Sequence, residues 1–432
     1  MIRTGSGIIV PSSIARPIGR IIGGFGDSFT ANGHAIAATA YATENYGYAF
    51  WAAAGSNAYA PYTEMFGVGG TTTADFITAA RLNPVLSGQS SVIMFPSVTN
   101  DFTLSGMTLD ATKRNVLKII EKITGAGKII IVGTCTPRYA DKAITDPARL
   151  ADMIAYKDWV LNYLSKFVPV VDLWTGWTQA DTVDNLHPNP QGAQKIGGKF
   201  ANIIRSLPMQ PPALPVSAAD LYSATLNPFG SLTPNPLLQN TATNAIGASA
   251  NPVAGSILAD GHTVAGSNMT GLTTKWSLEA GAFGNKQVIE INGTMTTAGG
   301  YFAMTSTAGV TLANLAVGDV IESLAAWEVS GPAASLLSWG LELIVTKPVS
   351  GTSTNIYYRS GDKYQEPYTL PANCRGNHET MRYTFDGTET KITHRMSCYP
   401  SQNIVQTGIL LTQTNHRALS QSFTHIHKNI HF

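Results

Sequence analysis

The stretch Ile18-Gly19-Arg20-Ile21-Ile22-Gly23-Gly24-Phe25-Gly26-Asp27-Ser28-Phe29 decides the fold. Ile18–Phe25 is an apolar run of strand length, closed by glycine and aspartate. A helical pattern from His34 to Ala54 follows and ends at Gly55. The alternation then repeats. Tyr62–Val68, Ser91–Pro96, Lys128–Gly133 and Val168–Leu173 read as four more strands. Asp110–Thr124 has helical spacing, with Val116, Leu117, Ile120 and Ile123 on one face. Pro147–Phe167 reads as a long helix capped by Asp146, and Pro190–Leu207 as a last one. Five strands alternating with helices predict an α/β fold, a parallel sheet with helices on both faces. Reactive groups in such sheets gather at the carboxyl ends of the strands.

Composition narrows what the molecule can meet. The chain has 432 residues, enough for two or three domains. Charged residues are 13%, about half the share usual in globular proteins, and the net charge is +1. Neither half is basic: residues 1–208 carry 17 Lys and Arg against 14 Asp and Glu, and residues 209–432 carry 11 against 13. A nucleic-acid partner is therefore not expected. No apolar run reaches the ~18–20 residues that span a bilayer, so membrane insertion is not expected. The opening Met1-Ile2-Arg3-Thr4-Gly5-Ser6 lacks the apolar core of a signal peptide. Three cysteines, Cys135, Cys374 and Cys398, form no CxxC pair. Cys374 and Cys398 either pair in an oxidising compartment or stay as buried thiols. His425 and His427 share a face if extended but lack further ligands, so no metal is expected.

The text changes style after Leu207. Pro208, Pro211, Pro212 and Pro215 mark a stiff linker over residues 208–234. Residues 235–432 read as an all-β accessory domain, a sandwich or jelly roll. Its short runs include Gln287–Asn292, Tyr301–Thr305, Leu341–Thr346, Asn355–Arg359 and Ile404–Leu411, between Gly, Asn, Ser and Thr clusters.

Four short blocks carry chemistry in residues 1–207. Gly26-Asp27-Ser28 places a serine at a strand-to-helix turn, where its hydroxyl is lifted to the sheet edge. Gly67-Val68-Gly69-Gly70-Thr71-Thr72 lets backbone approach a substrate, so an amide there can meet an oxyanion. Asn100 in Thr99-Asn100-Asp101 offers a side-chain N–H for the same purpose. Asp184-Asn185-Leu186-His187 pairs an imidazole with the carboxylate that fixes its tautomer. Each block alone is also what an ordinary turn or helix cap uses. Together they follow successive strands in one order.

In that order the blocks resemble the SGNH (GDSL-type) hydrolase family, over about residues 16–206. The resemblance implies a five-stranded, flavodoxin-like parallel sandwich and serine-based acyl transfer to water without a cofactor. Ser28 would be the nucleophile, His187 the base and Asp184 its orienting acid. The Ser28 and Gly70 amides and the Asn100 side chain would form the oxyanion hole. Val98 stands where the family usually has glycine, a departure that bears on the shape of the cleft. Trp174 and Trp177, between the fifth strand and the Asp184–His187 loop, either form a stacking wall for a sugar or pack in the core.

The second half is similar in composition to β-modules of phage tail proteins and carbohydrate-binding appendages. The leading expectation is an esterase removing O-acyl, chiefly O-acetyl, groups from an acylated polysaccharide. Its expected setting is extracellular or virion-borne, as a phage tail protein, with a homotrimer as the expected oligomer. A lipid or small-ester hydrolase, and a receptor-binding tail protein with a vestigial hydrolase fold, are the alternatives.

Overall fold

In a computed structural model, the chain is described over residues 18–32, 47–56, 58–96, 98–103, 106–209, 246–281, 284–307, 309–330, 336–360, 374–380 and 382–400. Shorter stretches are described at 2–3, 9–10, 34–36, 42–45, 222–223, 225–226, 231–232, 235, 237–242, 405–412 and 422–427. Most of the expected linker, 208–234, and His431 lie outside the described residues. The chain divides into two units: residues 1–35 with 45–212, and residues 36–44 with 213–432.

The strands of interest, in chain order, are β1 (Ile22–Gly26), β2 (His34–Ile36), β3 (Ala42–Asn45), β4 (Met65–Gly67), β5 (Val92–Phe95), β6 (Ile129–Gly133) and β7 (Val170–Val171). The first unit is built on a five-stranded parallel sheet in the order β4-β1-β5-β6-β7. Side chains alternate across it. Ile22, Met94 and Ile131 enter one core with Tyr48 and Ala52 of α2 (Tyr48–Ser56) and Phe200 and Ile204 of α7 (Pro190–Ile204). Phe25, Ile93, Phe95, Ile130 and Val132 enter the other. There they meet Phe76 of α3 (Thr73–Phe76), Leu82 and Val85 of α4 (Ala79–Ser87), Val116, Ile119 and Ile123 of α5 (Leu109–Gly125) and Met153, Tyr156 and Val160 of α6 (Pro147–Asn162). This is the doubly covered parallel sandwich that the alternation of elements predicts. The buried stripe of α5 differs by one position from the expected one. Leu117 is 43% exposed and Ile119 is buried, because residue 117 is turned about 100° away from 116 on the helix.

The helix expected over 34–54 forms only in its second part, as α2. Its first part holds β2 and β3 instead. Ala42 and Thr43 of β3 pair in parallel with Tyr357 and Tyr358 of the second unit's Thr352–Ser360 strand. The alanines of this segment favour a helix locally, but a sheet edge far away in the chain supplies hydrogen bonds that override the preference.

The second unit is built on two large sheets, antiparallel apart from the parallel pairing of β3. One orders His262–Ser267, Tyr301–Ser306, Lys391–Pro400, Leu336–Val349 and Thr352–Ser360, then β3 and β2. The other orders Leu272–Gly281, Gly284–Thr294, Val405–Thr412, Val320–Ser330 and Cys374–Glu379. Leu343, Val345, Ile356 and Ile392 from the first sheet bury against Ile321 of the second. Alternation along these strands places the apolar residues inward, as in a β-sandwich. Cys135 and Cys398 are buried free thiols.

Candidate active site

The nucleophile turn is fixed by backbone chemistry. β1 ends at Gly26, and Asp27 caps the four-residue helix α1 (Ser28–Ala31), accepting from the Phe29 N–H at 3.0 Å. Ser28 is the first residue of that helix and is half-buried. Gly67 makes the close approach possible. A Cβ there would lie 2.2 Å from the Ala31 nitrogen, so α1 rests directly on the backbone of β4. The Thr30 and Tyr48 hydroxyls, 2.9 Å apart, join α1 to α2.

The loop after β7 brings the imidazole. His187 Nε2 lies 2.9 Å from Ser28 Oγ, and His187 Nδ1 lies 2.7 Å from Asp184 Oδ2. Asp184 Oδ1 also accepts from the His187 and Leu186 N–H groups, at 2.7 and 3.2 Å. The carboxylate at Nδ1 assigns the ring proton there and leaves Nε2 to accept from the serine hydroxyl. The Phe29 ring backs the imidazole at 6.0 Å. Burial works to raise the Asp184 pKa. The His187 ring, its charge and the two backbone donors outweigh that and hold the carboxyl below its ordinary value.

The glycine loop lies beside the nucleophile turn, and the asparagine is tied to that loop. Val68 N–H donates to Gly26 O at 3.1 Å, which seats the loop on the nucleophile strand. A Cβ on Gly69 would lie 3.8 Å from that of Ser28. Gly70 follows at φ +76°, exposed and with open space where a side chain would be. Asn100 sits in a short 3-10 helix after β5, and its Nδ2 donates to Thr71 O at 3.0 Å. The asparagine is thereby tied to the loop that carries Gly70, with one N–H of the amide left over.

Other expectations come out differently. Val98 is buried in the core with Phe95 and Phe102, so its departure from glycine is absorbed inside the fold and does not line a cleft. Trp177 is 6% exposed in the α2–α7 core. Trp174 packs on the opposite core with Lys157 Nζ 5.4 Å from its ring. Trp177 thus packs in the core, and Trp174 is half-buried. Among the described residues no cluster of three or more His, Cys, Asp or Glu is placed to hold a metal, and no helix is long and apolar enough to cross a membrane.

Two features escaped sequence reasoning. Asp101 accepts from Thr73 N–H at 2.8 Å and from the Thr112 hydroxyl at 2.7 Å, and bonds the Thr73 hydroxyl, locking the asparagine turn to the segment after the glycine loop. Arg138, after β6, donates to the Thr99 and Thr103 hydroxyls at 3.2 and 3.1 Å, on either side of Asn100. Only the Asp next to Asn100 was visible as a signal. Arg138 belongs to no motif.

Residues 25–195 match the model of the GDSL-like Lipase/Acylhydrolase family, and this segment is a domain of that family. A comparison with curated proteins finds no match. Among solved structures, the chain is similar to a carbohydrate esterase family 3 protein from Talaromyces cellulolyticus, at 18% identity and TM-score 0.33, over 43% of this chain and 99% of that one. It is also similar to a member of the lipolytic protein G-D-S-L family from Veillonella parvula, at 20% identity and TM-score 0.33, over 43% and 98%. A catalytic mutant of an acetylxylan esterase from Geobacillus stearothermophilus matches at 18% identity and TM-score 0.34, over 44% and 96%.

Proposed function

We propose that the chain is a serine esterase that removes O-acyl groups, chiefly O-acetyl, from a polysaccharide. The observation that carries the reading is the continuous path from Ser28 Oγ to His187 Nε2 at 2.9 Å and from His187 Nδ1 to Asp184 at 2.7 Å. A neutral serine hydroxyl needs a base within such reach. Ser28 Oγ attacks the ester carbonyl while His187 Nε2 takes its proton. Asp184 stays ionised and stabilises the imidazolium. The developing oxyanion is met by the Ser28 and Gly70 amides and the free N–H of Asn100, donors worth about 3 kcal/mol each in comparable sites. His187 returns the proton to the departing sugar hydroxyl. Water, deprotonated by the same imidazole, then cleaves the acyl-enzyme to the free acid and Ser28.

Support for an uncharged, hydroxylated substrate is compositional: 13% charged residues and a second half rich in Thr, Ser and Asn. The same reading sets the enzyme on a bacterial surface glycan, as part of a phage tail. The test is acetate release from a panel of acetylated bacterial polysaccharides. Wild type releases acetate and Ser28→Ala does not. Equal release by both proteins overturns the nucleophile assignment. A higher rate on long-chain than on acetyl p-nitrophenyl esters turns the reading to a lipid hydrolase. Glycan binding without turnover turns it to a receptor-binding protein.

A further inference from the structure

The Asp184–His187 turn is closed by its own Asp184 bonds and is also held from outside. Asn185, its second residue, has φ +69°, a left-handed conformation that asparagine tolerates better than most side chains. Three bonds converge on it. Its Nδ2 donates to Asp141 Oδ1 at 2.8 Å, its Oδ1 accepts from Gln179 Nε2 at 2.8 Å, and its carbonyl accepts from the Tyr139 N–H at 3.1 Å. Asp141 and Tyr139 lie in the loop 134–142 that leaves the carboxyl end of β6. That loop is itself fastened. Tyr139 Oη donates to Trp177 O at 2.7 Å, Lys142 pairs with Asp141 at 2.9 Å, and Arg138 Nε donates to Lys142 O at 2.9 Å. Ala140 sits at φ +46°, a non-glycine conformation that persists only when surroundings impose it. From the same loop, Arg138 reaches the Thr99 and Thr103 hydroxyls flanking Asn100.

We propose that loop 134–142 is a strut that positions both sides of the reaction centre, with Asn185 as its contact on the base and Arg138 as its contact on the oxyanion donor. Neither residue touches the reacting atoms, so both are positioning residues. The inference rests on the serine-esterase reading above. Its physical basis is that acyl transfer is sensitive to placement: an error of about 1 Å can lower the rate about a hundredfold. The base and the oxyanion donor come from loops after different strands, so without a tie their separation would drift with each loop. The strut removes that freedom.

The test uses the full chain and p-nitrophenyl acetate. Asn185→Gly keeps the left-handed backbone accessible and deletes both side-chain bonds. The expected result is a fall in kcat of about tenfold, with KM and the unfolding midpoint unchanged and the downfield His187 Nδ1 proton resonance broadened. Arg138→Met is expected to lower kcat similarly while leaving that resonance sharp. Reversing the pair, Asn185→Asp with Asp141→Asn, rebuilds one donor and one acceptor, and is expected to recover most of the kcat that Asn185→Asp alone loses. Wild-type kcat in Asn185→Gly, a melting loss that accounts for the lower rate, or failure of the reversed pair to recover overturns the strut. Ser28→Ala in the same assay separates the two readings. If it stays active, the serine mechanism fails. If it is dead while Asn185→Gly is unaffected, only the strut fails.

Discussion

Asp27 shows how one residue can serve the site without entering the chemistry. Its carboxyl is fully buried, with Oδ1 on the Phe29 N–H and Oδ2 without a partner among the described residues. Burial is the largest influence and pushes its pKa up to about 7; the Asp101 charge adds to this, while the Phe29 N–H and Arg138 oppose it. The sign follows. A carboxyl with a raised folded-state pKa leaves stability intact at low pH. Stability is then lost as pH rises from the unfolded value of 3.8 through about 7. The full effect is on the order of 4 kcal/mol. Asp27→Asn keeps the cap acceptor and cannot ionise. Denaturant midpoints of the variant are therefore expected to lose the decline that wild type shows between pH 4.5 and pH 8. Parallel curves for the two proteins would mean Asp27 does not titrate in this range. The motif Gly26-Asp27-Ser28 was legible in the sequence, but the burial of its aspartate was not, because burial is set by what packs over the turn.

At the scale of elements, the site depends on a short helix lying against a strand end. Gly67 is where α1 meets β4. A Cβ there would stand 2.2 Å from Ala31 N and 2.5 Å from Thr30 C, both backbone atoms that cannot swing aside. Gly67→Ala is expected to destabilise the fold by about 1–3 kcal/mol and to shift α1, with Ser28 at its start. Esterase activity should fall further than the folded fraction does, measured at a temperature where the variant remains folded. Unchanged activity would show that α1 tolerates displacement. The glycine run was read from sequence as a site for backbone approach to substrate. The structure gives its first glycine a second task, approach to a neighbouring element. The strands of the parallel sheet were legible because buried apolar runs between glycines carry their own signal. The β2–β3 segment was not, since its partner strand begins at Thr352.

For the whole molecule, the two units carry buried groups of opposite acid response. In the second unit His262 and His394 are buried with ring centroids 5.8 Å apart, and Nε2 of each is without a partner among the described residues. Burial holds both imidazoles below their ordinary value, with the Asp260 carbonyl and charge opposing at His262. At His394 the neighbouring His262 charge adds to burial and brings the value to about 3. A histidine held neutral in this way leaves stability intact above the unfolded value of 6.5. Stability is lost as pH falls from there toward 3. Acidification from pH 7.5 to 5 should therefore lower the second unit's thermal transition while the Asp27 contribution raises the first's. Calorimetry over that range, with His394→Gln and Asp27→Asn to assign the transitions, is expected to show them shifting in opposite directions. Transitions that shift in the same direction would contradict it.

The sequence by itself determined the chemistry: a serine, a glycine loop, an asparagine and an Asp-x-x-His pair, each following an apolar strand in a fixed order. These are local properties, since a strand's apolar period and a turn's glycine are written in neighbouring residues. The tertiary structure decided the distances and the company. It set Ser28 within 2.9 Å of a ring 159 positions away, gave Trp177 to the core, paired Ala42 and Thr43 with a strand of the second unit, and joined Asn185 to Asp141. Such contacts depend on which distant surfaces bury one another, and no short stretch of sequence contains both partners.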